Sequence, residues 1–546
     1  MPRMTGAEAI VKSLRGYDVD TIFGLPGGQL DHLFDAMFKE DGLRVIHTRH
    51  EQGAAYMAYG YAKSTGRTGV YTVVPGPGLL NSTAALCTAW SNNAPVLCLS
   101  GQVPSRSIGR GYGELHEIND QLGLIRHITK WAERIESPSA APVLIAEAMR
   151  HLTEAGPRPV ALEMPMDVMG AEAEVDLGEC GVLVETPDFD PDLIEHAAAI
   201  LGSAQRPMIV IGAGAADAGS ELLAVAEALQ APVMAKRNGK GVISAGHYLN
   251  ANLPMGHVLW GEADAVLAVG TRLKMPLTQW GKDDDLALIR VDIRADEVNR
   301  ICEPEVGIVG DAAEVLTALH ARLEKHNRQR ASREDELTTL ARTVLKSMHE
   351  HVGPQLSYLD TIRQVLPDDG VFVDEVTQVG FVAWYGFPVY KPRQYITAGY
   401  QGTLGYGYAT ALGVAVGNPG KKVVQVSGDG GFMYNVQELA TAAQNGIDLV
   451  TIIFNDNTFA NVQRQQDEWF EGRRICSDLH NPDFAKLAEL FGIAGYRADT
   501  PAEVGVALEK AFSQSGPAII EVPVGERMPS PWKFIIMEQN RKAICS

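Results

Sequence analysis

Cysteine is scarce in this chain. Six occur in 546 residues, at Cys87, Cys98, Cys180, Cys302, Cys476 and Cys545. No two form a C-x-x-C pair, so neither a disulfide framework nor a zinc site is expected, and the pattern fits a reducing compartment. Long apolar runs are also missing. Nothing approaches the ~20 residues a membrane helix needs, and the opening segment MPRMTGAEAIVKSLRGYDVD holds no apolar signal core. The expectation is a soluble, cytoplasmic protein. Positive charge is in deficit, with 47 Lys and Arg against 67 Asp and Glu, a net charge of −20. That balance argues against nonspecific binding to nucleic acid or to an anionic membrane.

What the chain does have is glycine, 55 residues, and a 46% hydrophobic fraction. At ~100–200 residues per domain, the length suggests three or four domains. Short apolar segments recur: GVYTVV, APVLCLS, PVALEM, PMIVIGAG, AVLAVGT, KKVVQVSG and DLVTIIFN. Each is bounded by Gly, Pro or Asp and separated from the next by amphipathic stretches. This reads as parallel strands buried on both faces and joined by helices. The stretch Met169 to Pro191 is acidic and aperiodic and reads as a linker; Lys325 to His349 is highly charged and reads as a solvated connecting helix. The expected architecture is α/β, with three doubly wound parallel-sheet domains at 1–170, 190–325 and 350–525 and a tail at 526–546.

The densest chemical signal lies in the third block. KKVVQVSGDGGFMYNVQELATAAQNGIDLVTIIFNDNTF reads strand, turn, helix, strand, with Asp429 ending the first strand and Asp456 the second. Parallel strands put both carboxylates at the sheet edge where open α/β sheets bind ligands. Two carboxylates and a backbone carbonyl make a hard oxygen site suited to Mg2+. Gly430 and Gly431 let backbone approach a phosphate, and the following helix start favours the anion. A GDG triplet alone is ordinarily a tight turn; the second acidic turn one strand–helix unit later makes it a site.

Gly428 to Asn457 resembles the GDG…NN motif of thiamine-diphosphate enzymes. The resemblance implies a Mg2+ held by Asp429, Asp456 and the Thr458 carbonyl, with Phe459 beside the cofactor. The chain departs from the motif by carrying Asp456 where Asn is usual, and the added charge should tighten the metal but repel the diphosphate.

In the first block, RVIHTRHEQGAAYMAYGYAKSTG is a strand running into a helix with Glu51 at the junction. By itself a Glu at a helix start is a capping or dipole residue. The segment resembles RHEQGAAxxAxGYA of the acetolactate synthase group, whose glutamate shares a proton with the cofactor's aminopyrimidine and so promotes loss of the proton at C2 of the thiazolium. A glutamate amid Ala, Tyr and Met is expected to be poorly solvated. FGLPGG and PGPGLLN resemble the family's cofactor-facing loops, matching Gly27, Gly28, Pro77 and Asn81. GYQGTLGYGYATALG matches Gly402, whose carbonyl would take the 4′-amino group, and Leu404, which would wedge the cofactor into its V shape. Gln378 falls near the diphosphate. The resemblance spans residues 5–525 and implies an active site between subunits of a homodimer or dimer of dimers.

The middle block reads two ways. PMIVIGAGAADAG looks like a dinucleotide fingerprint, but Asp217 stands at the third glycine position, which favours a structural Rossmann-like domain. The alternative is FAD or ADP bound there. Where acetolactate synthases carry FDDR, this chain has Leu273-Lys274-Met275-Pro276, and where they carry a tryptophan in a VRQWQ-like segment it has Gln465. The second-substrate arginine is therefore missing, and the loop is closer to benzaldehyde lyase and 2-hydroxyacyl-CoA lyase relatives. In GELHEINDQ, alignment puts His116 over the reaction centre, or Glu117 with one residue of slippage; His116 would be an acid–base group. The first glycine loop, Gly28-Gln29, has no titratable side chain, which weakens a pyruvate-decarboxylase reading. Trp532, in the tail's SPWKF, is expected either to close the pocket or simply to pack.

The functional expectation is a lyase or carboligase acting on 2-keto acids, 2-hydroxy ketones or 2-hydroxyacyl-CoA. The alternatives are acetolactate synthase proper and a catalytically inactive cofactor-binding scaffold.

Overall fold

The computed structural model describes residues 1–179, 181 and 186–542. It contains three six-stranded sheets, each parallel throughout. In the first, the strands lie in the spatial order Arg44–His47, Thr21–Gly24, Gly69–Val73, Val96–Gln102, Val160–Pro165, Ala132–Arg134. In the third the order is Tyr395–Ile396, Val371–Val373, Val423–Gly428, Val450–Asn455, Ala518–Pro523, Ala494–Arg497. Counted by chain order within each domain, both sheets run 2-1-3-4-6-5. The first and third domains are therefore the same fold.

The middle sheet runs 3-2-1-4-5-6, the order of dinucleotide-binding domains, from Asn250–Ala251 to Val306–Val309. All three orders reverse direction at a switch point, where open α/β sheets leave a crevice at the carboxyl ends of their strands. In the first domain that crevice lies between the loops that follow Thr21–Gly24 and Gly69–Val73. In the third it lies between those that follow Val371–Val373 and Val423–Gly428.

One helix pair joins the first and third domains. The helix Glu51–Thr65 is capped by the His50 ring, which accepts from Gln52 N, and by Gly66 at φ 76°. It crosses the helix Gly407–Gly417 with backbone against backbone. A Cβ on Gly60 would lie 2.0 Å from the Thr410 carbonyl oxygen, and one on Gly413 would lie 1.9 Å from that of Met57. The Gly/Ala richness of both helices is what lets them approach so closely, and residues of both form one buried core. A second core links the middle domain to the other face of the third.

Two connecting segments differ from the sequence expectation. Glu172–Glu174, inside the expected linker, pairs antiparallel with Arg3–Thr5; residues 180 and 182–185 of that linker lie outside the described residues. The charged connector is not one helix from 325. A helix ends at His326 and the next begins at Glu334 and runs to Val365. The break has a purpose: Arg330 between them caps the carbonyls of Leu201, Gly202 and Ala204 at the end of another helix. Among the described residues, no helix is long and apolar enough to cross a membrane.

Candidate active site

The first-domain crevice gathers the residues picked out in that block. Glu51 is the first residue of its helix, and its Oε2 accepts from Asn81 Nδ2 at 3.0 Å. Val74 is the pivot of the cradle. A Cβ on Gly27 would meet it at 2.5 Å and one on Gly78 at 2.6 Å, the latter also 3.4 Å from Glu51 Oε1. Pro77 starts the helix that carries Asn81. Gly28, Pro77 and Asn81 are exposed, and Glu51 is half-buried rather than enclosed. The expected desolvation is thus incomplete in the single chain, because this face of the cradle is open.

Gly76, at φ 57°, brings in the His116 loop: a Cβ there would lie 2.3 Å from the His116 carbonyl oxygen. Glu117 is committed to that loop, accepting from the backbone N–H of Gly111, Gly113 and Glu114 at 2.9, 2.8 and 3.0 Å. Those bonds, with Glu114's foremost, hold its carboxyl below the ordinary range. His116 Nδ1, by contrast, is buried and without a partner. Behind the loop lies a buried polar group that sequence reasoning missed. Gln121 accepts from Gly76 N at 2.8 Å and donates to Glu163 at 2.8 Å, and Glu163 also accepts from Arg134 at 2.6 Å. Gln29 Nε2 likewise donates to the Leu115 carbonyl at 2.9 Å. Distant single Gln and Glu residues carry no pattern that marks them as partners.

The third-domain crevice gathers the rest. Asp429 is 2% exposed; burial, and then repulsion from Asp456, push its carboxyl up to about 6. Asp456 turns Oδ1 back onto the Thr458 N–H (3.0 Å) and hydroxyl (2.9 Å). The Asn481 amide donates at once to Asp429 Oδ2 (2.6 Å), Asn455 Oδ1 (3.2 Å) and Asn457 Oδ1 (3.3 Å). Three side-chain oxygens thus converge on one positive dipole, with Asp456 adjoining. Among the described residues no trio of His, Cys, Asp or Glu forms a metal cluster. The donor set here is two carboxylates with the side-chain amide oxygens of Asn455 and Asn457, which fits Mg2+ better than a soft metal.

The two glycines after Asp429 serve side-chain approach. A Cβ on Gly430 would lie 2.5 Å from the Phe459 ring, and one on Gly431 would lie 3.3 Å from Leu404 Cδ1. A cavity of ≈ 350 Å³ opens beside them, with Gly430, Tyr434, Phe459, Leu479 and Asn481 in its wall. Gly402 takes φ 56° with open space around its Cα, and Leu404 is half-buried. Gln378 starts its helix, is 5% exposed and accepts from Arg464 Nη2 at 3.3 Å.

Two buried acids at this switch point were not singled out from sequence. Glu375 accepts from the backbone N–H of Val376 (2.9 Å), Gly405 (3.3 Å) and Gly407 (2.7 Å), and burial pushes it up to about 8. It ties the Leu404 loop to the strand end. Asp374 accepts from Trp384 Nε1 (3.0 Å), Tyr395 OH (2.7 Å) and Tyr406 OH, and burial lifts it to about 6. The available signal was VDEV, adjacent acids ending an apolar strand. Trp532 packs its ring 4.8 Å from that of Phe381 and donates to Asn461 at 2.8 Å, so the tail lies across the helices that follow Gln378 and Thr458. Among the described residues, no hydrogen bond joins Glu51, Asn81 or His116 to Gln378, Leu404, Asp429 or Asp456. The chain holds two half-sites.

In the middle domain, Gly214 and Gly270 meet backbone to backbone at the switch point, a Cβ on Gly214 lying 2.7 Å from Gly270 Cα. Asp217 is bound bidentately by Arg393 at 2.8 and 2.7 Å.

Comparison with known proteins agrees with this division. Residues 4–124 match the N-terminal TPP binding domain of thiamine pyrophosphate enzymes, 194–319 their central domain and 375–522 their C-terminal TPP binding domain. A protein named probable 2-ketoarginine decarboxylase, from Pseudomonas aeruginosa, is 34% identical over 95% of this chain and 94% of its own length. An acetolactate synthase from Arthrospira platensis is 33% identical over 96% and 94%. A probable acetolactate synthase large subunit from Methanococcus aeolicus is 31% identical over 99% and 97%.

Proposed function

Because this chain belongs to the thiamine pyrophosphate enzymes and is a carbon–carbon lyase or transferase dependent on that cofactor, we propose that its two half-sites hold thiamine diphosphate and Mg2+ for cleavage or ligation of 2-keto acids. The observation that carries this reading is the pairing of half-sites on duplicate folds: Glu51 with Asn81 at one switch point, and the Asp429 oxygen cluster at the other.

Bound cofactor would supply an electron sink beside a carbonyl. Gly27, Gly28, Pro77 and Asn81 would cradle the aminopyrimidine, while the Gly402 carbonyl and Leu404 would set its angle to the thiazolium. Asp429, Asp456 and the Thr458 carbonyl would hold Mg2+, with Gln378, Gly430, Gly431 and Phe459 around the diphosphate. Asn81 fixes one oxygen of Glu51 and leaves the other to exchange a proton. His116, with its unpartnered Nδ1, is the proton donor or acceptor facing the substrate, and Glu117 is not. Trp532 and the tail keep water from the third-domain half.

The open first-domain face carries Leu80 (41% exposed) and Leu115 (69%), and Tyr434 (53%) borders the other half-site. This supports completion of each site by a second copy, in a homodimer or dimer of dimers. The scarcity of cysteine and the lack of any C-x-x-C spacing in the sequence support a cytoplasmic setting. Pro276 is buried and cannot replace the second-substrate arginine, which favours a decarboxylase or lyase over acetolactate synthase. The decisive experiment offers the holoenzyme pyruvate, 2-ketoarginine, benzoylformate, 2-hydroxy ketones and 2-hydroxyacyl-CoA. CO2 or aldehyde release without acetolactate supports the reading; acetolactate as the main product from pyruvate reverses it.

A second reading concerns the middle domain. Arg158 Nε, Arg290 Nη1 and Arg294 Nε are buried without partners around the end of the strand Ala287–Asp292. Unpaired buried guanidinium N–H groups favour an anionic guest, and an ADP or FAD phosphate suits them. The Asp217–Arg393 pair favours a purely structural domain instead. Chromatography of heat-released supernatant should show an adenine nucleotide resolved from thiamine diphosphate if a nucleotide is held, and the protein should be yellow if that nucleotide is FAD; a colourless protein releasing no adenine nucleotide supports the structural role.

A further inference from the structure

Gln121 has no part in the chemistry proposed above, yet its side chain joins the two loops that carry the proton transfer. We infer that Gln121 is a positioning residue for the first-domain half-site. Its amide fixes the Gly76 turn against the His116 loop, and so sets where Asn81, Glu51 and His116 stand relative to a bound aminopyrimidine. The inference rests on the cofactor reading and adds to it a residue that no motif marks.

The turn needs an anchor from outside its own helix. Gly76 precedes the helix Pro77–Ser91 with φ 57° and ψ −114°, and no side chain caps that helix. Such a backbone suits glycine alone. Its N–H is buried and must find a partner, and Gln121 Oε1 is that partner at 2.8 Å. Against the turn lies the His116 carbonyl oxygen, 2.3 Å from where a Gly76 Cβ would stand. His116 itself takes φ 69°. Gln121 begins the helix Gln121–Arg126 a few residues later, and Gln29 holds the Leu115 carbonyl on the other side. Past the turn, a Cβ on Gly78 would lie 3.4 Å from Glu51 Oε1, and Asn81 donates to Glu51 Oε2 at 3.0 Å. A shift of the Gly76 turn therefore moves both neighbours of the Glu51 carboxylate and the His116 backbone together.

The anchor has one orientation. Gln121 is 2% exposed. Its Nε2 donates to Glu163 Oε2 at 2.8 Å and to the Gly101 carbonyl at 3.0 Å, with Ser100 Oγ at 3.3 Å. Turning the amide over would set its N–H groups against the Gly76 N–H and its oxygen against a carboxylate and a carbonyl. Glu163 is held in turn by Arg134 Nε at 2.6 Å and Gln102 Nε2 at 3.3 Å. The chain of bonds from Arg134 to Gly76 is thus directional, and it ends on backbone at the cofactor cradle. Supporting bonds of this kind keep reacting groups within the narrow range of productive geometry.

The test is deuterium exchange at C2 of thiamine diphosphate bound to the Mg2+-loaded protein, with the rate expressed per bound cofactor and the bound cofactor counted by calorimetry. Gln121→Met keeps the side-chain length and removes its hydrogen bonds. It should slow exchange by roughly 10- to 100-fold with the cofactor still bound. Glu163→Gln is the milder change, since it sets an N–H group against either Gln121 or Arg134; it should slow exchange less, and it carries the test if Gln121→Met does not fold. Gln102→Met loosens the same carboxylate without touching Gly76 or the His116 loop. It should lower the melting temperature and leave exchange unchanged. A purely structural Gln121 would lower stability alone, so wild-type exchange per bound cofactor in either folded variant, Gln121→Met or Glu163→Gln, would overturn the inference. Equal slowing in Gln102→Met would overturn it as well. Wild-type protein that binds no thiamine diphosphate, or exchanges its C2 proton no faster than free cofactor, would instead sink the cofactor reading.

Discussion

Replacing Gly413 by alanine should destabilise the protein, although the same change inside a helix ordinarily stabilises by up to ~1 kcal/mol. The Cβ would stand 1.9 Å from the Met57 carbonyl oxygen, against 3.4 Å for ordinary contact, and the obstacle is backbone, which cannot rotate away. The helices Glu51–Thr65 and Gly407–Gly417 must then part by more than an ångström along a fully buried seam. Overpacking of this kind costs about 1–3 kcal/mol. At ~2–4 °C per kcal/mol for domains of this size, Tm should fall by about 2–12 °C. Gly60→Ala, aimed at the Thr410 carbonyl from the other side at 2.0 Å, should behave alike. The double variant should lose less than the sum, because the first substitution already separates the helices. Gly505→Ala is the control: it lies mid-helix, and its nearest obstacle is the Thr361 methyl at 3.1 Å, which can move. Differential scanning calorimetry of the four variants beside wild type decides the matter. A Gly413→Ala Tm at or above wild type would refute the crossing geometry, and with it the account of how the Glu51 helix is seated.

Further outcomes follow from individual groups. Glu375 is raised from the ordinary 4.5 to about 8 by burial. A raised acid binds its proton more tightly folded than unfolded, so it favours folding below pH 4.5 and loses that contribution as pH rises to about 8, above which the curve flattens. Glu375→Gln should remove that slope, and parallel stability–pH curves for variant and wild type would contradict the burial argument. His116→Gln should lower kcat by about 10²-fold or more while leaving thiamine diphosphate affinity unchanged; wild-type kcat would return His116 to a packing role. Asp429→Ala should abolish Mg2+-dependent cofactor binding seen by calorimetry, and retained binding would displace it as a ligand. Trp532→Ala should raise KM more than it lowers kcat, since it loses the Asn461 bond and the Phe381 contact; unchanged kinetics would mean the tail only packs.

The sequence was most informative where backbone periodicity and a single carboxylate coincide. Apolar runs ended by Gly or Asp marked the parallel strands; Asp429 directly follows one of them, and Glu51 opens the helix that follows another. Strand order was not legible, because nothing local distinguishes 2-1-3-4-6-5 from 3-2-1-4-5-6. Glu375 was also missed, because its importance comes from burial and from Gly405 and Gly407, far along the chain. The charged run after Lys325 misled for a related reason: Arg330 is charged to cap carbonyls of a distant helix and not to solvate its own. Charge pattern reports exposure, and here the partner was folded over it.

The central claim is that Glu51 drives proton exchange at the cofactor. The most direct measurement is the rate of deuterium exchange at C2 of bound thiamine diphosphate, followed by NMR after acid quench, in wild type and in Glu51→Gln. The account predicts exchange slowed by about 10²-fold or more in the variant with cofactor still bound. Exchange at the wild-type rate in a Glu51→Gln protein that binds the cofactor normally would contradict it.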